Sequence, residues 1–347
     1  MPVVAAFNRH ALRTSLLTPQ GVHYDLDAAD RPPPRWPWVL GGLWLAAAVA
    51  GLLLTFHSRL GGTHPPKRSQ STSLSAAAGS AGTQVQPLPG GATNRAPCLP
   101  TAVNAEVRRL MEGAEAAVRA GDLPSARRRY LELLDRGNLG AATAFVEQRL
   151  GEIGMLLLLT PRPMPEKIEY IAKSGESADR IALQYKVTCE LLLKSNDIRR
   201  PDRLQPGQRL LVLDKPRFAI AINRGANELR LFLNGKLLKR YSIGTGRHEE
   251  TPAGTYAICS RQERPAWWRP DGRKIPYGHP DNILGTRWML LQATGGTAVA
   301  RGYGIHGAWN ETDLGHATTA GGIRMRNADV EELCLIVPEG TPVRVME

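Results

Sequence analysis

Several things are scarce in this chain, and each scarcity removes a class of protein. Four cysteines occur in 347 residues, Cys98, Cys189, Cys259 and Cys334, in four separate segments. None forms a C-x-x-C pair, which argues against a zinc ribbon, and the spacing fits no disulfide framework. Buried or unpaired thiols are the simpler expectation. No basic run exceeds three residues, Arg127-Arg128-Arg129, although the net charge is +12. Positive charge scattered in this way suits a generally basic surface better than a nucleic-acid groove. No RRM, zinc-finger or strong helix-turn-helix pattern is present, so nucleic acid is not expected as a partner. An anionic surface, such as a membrane or a cell wall, is. No cofactor is implied. His248, His279, Asp313 and His316 match no metal-ligand spacing, and no metal site is expected.

The length allows two or three domains, and an apolar fraction of 42% is ordinary for a protein with real cores. Residues 1–35 are polar and proline-rich and read as a disordered tail, whose cytoplasmic side follows only from the modules downstream. Residues 36–56, WPWVLGGLWLAAAVAGLLLTF, hold 21 residues without a charge. That length spans a bilayer core, and Trp36 and Trp38 stand where interfacial aromatics belong, so an uncleaved transmembrane anchor is expected. A cleaved signal peptide is the rival, with a shorter core nearer the start. Residues 57–100, rich in Ser, Gly, Ala, Thr and Pro, form a flexible linker.

Residues 101–160 are helical. Val103, Val107, Leu110, Ala114 and Ala117 recur at helical spacing, and Gly121-Asp122-Leu123-Pro124 makes a turn into a second helix. The phrase A-x-x-A-G-D-L-x-x-A-R-x-x-Y resembles one tetratricopeptide unit, too little for a solenoid, so a small packing or spacer domain is expected.

Residues 167–213 follow a β-α-α-β order. An apolar strand leads to Ser174-Gly175-Glu176-Ser177, helices run through Ile181 and through Leu191 to Leu193, and Leu204-Gln205-Pro206-Gly207-Gln208 turns into a closing strand. This layout closely resembles a LysM domain. The resemblance implies binding of N-acetylglucosamine-containing glycans such as peptidoglycan, in a groove between Gly175, Glu176 and Ser177 on one side and Asn196, Asp197 and Ile198 on the other. Ala178 departs from the family pattern, which has a large apolar residue there.

From residue 216 to 347 the chain is strand-rich. Phe218 to Asn223, Glu228 to Leu233 and Lys236 to Ile243 are strand-like, and Asn234-Gly235 is a hairpin signal. Tyr256 to Ile258, Trp288 to Gln292 and Tyr303 to His306 are further strands, and Asp329 to Ile336 is a short helix. A largely antiparallel β-sandwich or closed sheet is expected. Trp267-Trp268 either lines a cleft or closes the core.

The segments N-x-L-x-L-F-x-N-G, S-I-G-T-G, T-P-A-G-T-Y, I-H-G, G-I-R-M-R-N-A-D-V-E-E-L and P-E-G-T-P-V together resemble the L,D-transpeptidase, or YkuD, catalytic domain. The family's last catalytic motif reads S/T-H-G-C-[I/V]-R-[M/L], and here the aligned residues run from Thr319 through Ala320, Gly321, Gly322 and Ile323 to Arg324 and Met325. The family's nucleophilic cysteine therefore falls on Gly322, and its upstream histidine on His306. In the family a thiolate attacks a peptidoglycan stem at a diaminopimelate–D-alanine bond, expels D-alanine, and the acyl-enzyme is resolved by the amine of a second stem. By resemblance His306 is the base, Arg324 fixes the backbone or holds a stem carboxylate, Gly321 and Gly322 form the turn whose N–H groups suit an oxyanion, and Tyr303, Gly307 and Thr319 bind substrate. The two glycines have a simpler reading, a turn that needs positive φ.

Two functions follow. One is a cell-wall L,D-transpeptidase with catalysis weakened or lost at Gly322. The other is a non-catalytic peptidoglycan-binding or scaffold protein, with other cell-wall enzymes as partners. Both imply a single-pass protein of a bacterial cytoplasmic membrane, with the LysM and C-terminal domains in the periplasm or wall.

Overall fold

A computed structural model describes residues 15–17, 23–25, 100, 103–246, 252–269, 271–297, 302–309, 314–315, 317–319 and 322–347. The chain divides into two compact units, one of residues 32–97 and one of residues 1–31 with 98–347. The first lies outside the described residues. The apolar stretch 36–56, the linker up to residue 99, Cys98, His248, Asp313, His316, Ala320 and Gly321 also fall outside them. Among the described residues no helix is long and apolar enough to cross a membrane. Within the stretch read as a tail, Ser15–Leu17 (β1) and His23–Asp25 (β2) pair antiparallel.

Three helices follow, Ala105–Arg119 (α1), Leu123–Arg136 (α2) and Thr143–Leu158 (α3). Their starts are set by side chains that satisfy otherwise orphaned N–H groups: Asn104 accepts from Val107 N at 2.8 Å and Asp122 from Ser125 N at 3.1 Å. Gly137, with φ of 67°, ends α2. Met111, Ala114, Ala126, Tyr130, Leu133, Val146 and Leu150 form their core.

The LysM segment has the expected order. Lys167–Ile171 (β3) and Arg209–Leu213 (β4) pair antiparallel, with Ala178–Gln184 (α4) and Cys189–Ser195 (α5) between them. Ala178 is buried beside Ile181 and Ala182, so α4 forms and packs despite the small residue.

The C-terminal region differs from a sandwich. Its strands are Phe218–Asn223 (β5), Glu228–Leu233 (β6), Lys236–Ser242 (β7), Thr245–Gly246 (β8), Gly254–Glu263 (β9), Trp267–Trp268 (β10), Lys274–Ile275 (β11), Arg287–Thr294 (β12), Gly304–His306 (β13), Ala317–Thr319 (β14), Ile323–Arg324 (β15) and Pro342–Met346 (β16), with one helix at Asn327–Ile336 (α6). Eight of the strands form one mixed sheet in the order β15-β13-β12-β9-β16-β5-β6-β7. The pairs β13–β15 and β16–β5 are parallel and the rest antiparallel. The C-terminal strand causes the departure: after α6 crosses back, β16 inserts between β5 and β9. The short β8 and β14 form a separate parallel pair.

The sheet curls around α6. That helix packs on β12 and β13, while its Glu332 accepts from Tyr241 Oη on β7 at 2.9 Å and pairs with Lys239 at 2.5 Å. One helix thus touches strands from opposite ends of the sheet. Phe218 to Ile222 are all buried, as expected of a strand covered on both faces.

The helices do not hold the modules apart. The third lies against β7, where a Cβ on Gly151 would stand 3.2 Å from Lys239 Cγ and one on Gly154 3.0 Å from Leu238 Cδ1. Glycine at both positions permits that approach. Beside them Glu147, 2% exposed, reaches Arg230 at 3.4 Å and Arg240 at 3.3 Å. The LysM segment is fixed on both sides. Arg127 donates to both Glu166 oxygens, and Lys167 caps the end of α3 through Leu157 O and Thr160 O, each at 2.7 Å. On the other side Thr188 Oγ1 donates to Leu335 O, and Arg261 joins Cys334 O to Glu190.

Candidate active site at His306 and Gly322

His306 ends β13, between β12 and β15, in register with Trp288 on one side and Arg324 on the other. Its carbonyl accepts from Met325 N at 2.8 Å, which locks the strand end to the segment that follows Gly322. The ring is buried and lies 5.7 Å from the Trp288 ring, tilted by 31°. Gly304, two residues earlier, makes room for that indole: a Cβ there would fall 2.8 Å from Trp288 Cζ2.

His306 Nδ1 stands 2.7 Å from Gly307 O. A carbonyl can only accept, so Nδ1 carries the proton and Nε2 keeps a lone pair. Burial is the main cause that lowers the pKa from 6.5 to about 4, with the Arg324 charge adding to it and the Gly307 carbonyl opposing it. The imidazole is therefore neutral at neutral pH, in the tautomer a general base needs.

That lone pair faces Gly322. A Cβ built on Gly322 would lie 2.8 Å from Nε2 and 3.1 Å from Cδ2 of His306. The backbone there does not have a positive φ, so the turn does not demand glycine at 322. The ring itself stands against the place a side chain would take. The two residues paired by sequence motif are thus neighbours in space.

Arg324 N donates to Gly244 O and Gly244 N to Arg324 O, both at 2.8 Å, which brings the Ser242–Gly246 segment alongside the site. β14, with Thr319, runs parallel to β8 there. Gly307 is buried, and Tyr303, 3% exposed, packs 5.1 Å from Tyr256 in the core beneath.

Sequence reasoning passed over Asn327. Its Oδ1 accepts from Thr286 N at 3.0 Å and its Nδ2 donates to Ala308 O at 2.8 Å. A Cβ on Gly307 would fall 2.2 Å from that Oδ1, and one on Gly285 2.0 Å. Asn327 thus clamps the loop after His306, and both glycines are required by its approach. The G-I-R-M-R-N run contains the residue but gives no sign of its reach.

None of the described cysteines lies on β13 or in the segment at Gly322. Cys334 is buried in α6 and Cys259 is exposed on β9. Cys189 lies in the LysM helix α5, and burial, with Asp179 beside it, pushes its thiol up to about 12. Among the described residues no cluster of His, Cys, Asp and Glu is arranged to hold a metal ion.

In the LysM segment Gly175, Ser177 and Asp197 are exposed. Ser177 caps α4 by accepting from Arg180 N, Glu176 accepts from Tyr170 Oη and Lys173 N, and Ile198 N donates to Leu193 O. Asn196 is committed internally, donating to Leu192 O and Leu211 O and accepting from Leu211 N. Asn196 therefore shapes the loop, while Gly175, Ser177 and Asp197 present themselves to solvent.

This architecture matches two known families. Residues 217–345 match the L,D-transpeptidase catalytic domain, and residues 170–212 match the LysM domain. A Bacillus licheniformis protein that carries the name L,D-transpeptidase YkuD is 32% identical over 182 residues, which cover 51% of this chain and 97% of the relative. Its Bacillus subtilis namesake is 32% identical over 184 residues, 51% of this chain and 98% of the relative. A solved L,D-transpeptidase from Mycobacterium tuberculosis H37Rv aligns at 18% identity over 41% of this chain and 70% of its own, with a TM-score of 0.31. The chain belongs to the L,D-transpeptidase family and carries a LysM domain beside the catalytic one.

Proposed function

We propose that this chain is a peptidoglycan-binding member of the family in which transpeptidation has been lost at residue 322. The observation that carries this reading is the pair His306–Gly322: the base is buried, neutral and aimed, and the residue it faces has no side chain. Family chemistry needs an atom that attacks the stem carbonyl, and a Cα hydrogen is not one. In this reading the site grips a stem peptide without cutting it, through the Arg324 segment, the Gly322 turn and the strand at Thr319. The LysM domain binds the glycan through Gly175, Ser177 and Asp197, with Glu176, Asn196 and Ile198 shaping the loops. An anchor at residues 36–56 holds the chain in a bacterial cytoplasmic membrane, with the LysM and catalytic-type domains on the wall side, where active cross-linking enzymes are its partners.

Co-sedimentation with purified sacculi tests the binding. The expected result is retention of the chain on sacculi, weakened by Asp197→Arg. A chain that stays in solution contradicts the reading. Fractionation of cells tests the anchor: the chain should leave the membrane only with detergent, and release by high salt alone argues against a spanning segment.

A further inference from the structure

Between β9 and β12 the chain builds a small lobe that the fold does not need for its core. Its hairpin, β10 paired with β11, is held from within by Asn282, which is 1% exposed. Asn282 Nδ2 donates to Pro265 O and Ile275 O, and its Oδ1 accepts from Leu284 N. A buried amide so fully bonded makes the lobe a fixed body.

That body displays rings to solvent. Trp268 is 66% exposed and Trp309 48%, with Ile283 at 49% nearby. These are three of the largest exposed apolar side chains among the described residues. Trp309 leaves the His306 loop three residues on and packs at 5.4 Å against Tyr277 of the lobe. The Trp309–Tyr277 contact thus joins the lobe to the loop that follows His306, and Trp268 is displayed from the same lobe. Cations sit beside the rings: Lys274 Nζ is 5.5 Å from the Trp268 centroid and the Arg269 guanidinium 5.7 Å from that of Trp267. Asp271 bridges Arg269 and Arg273 at 3.4 and 2.9 Å and so fixes the cationic edge.

We infer that Trp268 and Trp309 form a second glycan platform beside the stem site, on which pyranose rings of a peptidoglycan strand lie. A pyranose turns an apolar face of C–H groups to an indole, and its hydroxyls remain in water or reach the neighbouring cations. Rigid, half-exposed aromatic side chains give contact area at little cost in ordering. The positive edge attracts a polymer whose stems bear carboxylates. The place of Trp309 on the loop that follows His306 favours this polymer over a lipid surface, because a strand whose stem enters the site runs close to that loop. The inference rests on the wall-binding reading and adds to it a contact independent of the LysM groove.

The test uses the full chain, soluble glycan strands stripped of stem peptides, and vesicles of anionic phospholipid. Wild type, Asp197→Arg and the double variant Trp268→Ala with Trp309→Ala are titrated against the glycan. The double variant should weaken binding about tenfold, as loss of aromatic anchors does, and the Asp197 variant should weaken it separately. Trp268→Phe with Trp309→Phe keeps two rings and should recover most of the affinity, which a merely unfolded lobe would not do. Binding of the double alanine variant equal to wild type overturns the platform while leaving the LysM reading intact. Loss of vesicle binding, with glycan binding unchanged, overturns it in favour of a membrane-facing lobe. Failure of every form to bind glycan overturns the wall-binding reading itself.

Discussion

His306 Nε2 lies 2.8 Å from the point a Gly322 Cβ would occupy, so the imidazole fills part of the space a side chain at 322 would need. A cysteine at 322 meets no close backbone atom, but the His306 imidazole must shift to admit its Cβ and sulfur.

Gly322→Cys should therefore fold, and its thiol should sit against a neutral imidazole able to take its proton. The variant should react with iodoacetamide at residue 322 well below the ordinary thiol range near pH 8.5. Adding His306→Ala should slow that alkylation about tenfold or more. Peptide mass spectrometry across a pH series reads both rates. Equal rates with and without His306 would show that the two side chains do not meet.

His306 also makes the domain sensitive to acid. Its folded pKa of about 4 lies below the ordinary 6.5, so the unfolded chain binds the proton first. The stability it supports is complete above pH 6.5 and declines as pH falls from there toward 4, by roughly 3 kcal/mol in all. Denaturant melts of His306→Phe should lose most of that decline. A variant with the same acid slope as wild type places the sensitivity elsewhere.

Asn327→Ala removes the clamp between Thr286 and Ala308. Loss of two good hydrogen bonds and the void beside Gly285 and Gly307 should cost about 2 kcal/mol. The distinctive readout is the His306 ring, whose Nδ1 partner is the carbonyl of Gly307. NMR of the imidazole should show the Nδ1–H signal broadened or lost in the variant. An unchanged signal with lowered stability would mean that the clamp does not position the His306 ring.

Glu147→Ala should remove one of the two carboxylates that Arg230 and Arg240 share, leaving them on Glu228, and cost about 1–2 kcal/mol. Gly154→Leu should wedge α3 from β7, since even a Cβ there touches Leu238 at 3.0 Å. Calorimetry should then show the helices melting apart from the sheet. One cooperative transition in both variants would mean that the contact is not what joins them.

Much of this was legible in the sequence. Asn234 and Gly235, with φ of 51° and 81°, make the turn that an Asn-Gly pair between strands announces. The LysM order and the placement of His306 also follow from local pattern and motif. What escaped depends on distant residues. The largely antiparallel pairing follows from the strand runs, but nothing near Val343 says that β16 inserts between β5 and β9 and pairs parallel with β5, so the pattern does not choose one mixed sheet over a sandwich or a closed sheet. Glu147 looks like one more charge on a helix until Arg230 and Arg240 arrive from the sheet. The identity of residue 322 was plain, but its occupation by an imidazole was not.

The proposed loss of transpeptidation rests on Gly322, which offers no side chain to the imidazole of His306. The direct test is incubation of the purified chain with tetrapeptide-stem muropeptides, with products resolved by mass spectrometry. Wild type should release no D-alanine and form no cross-linked dimer, while still binding the muropeptides. Dimers from wild type that vanish in His306→Ala would show that the chain cross-links stems despite glycine at 322, and would contradict the account.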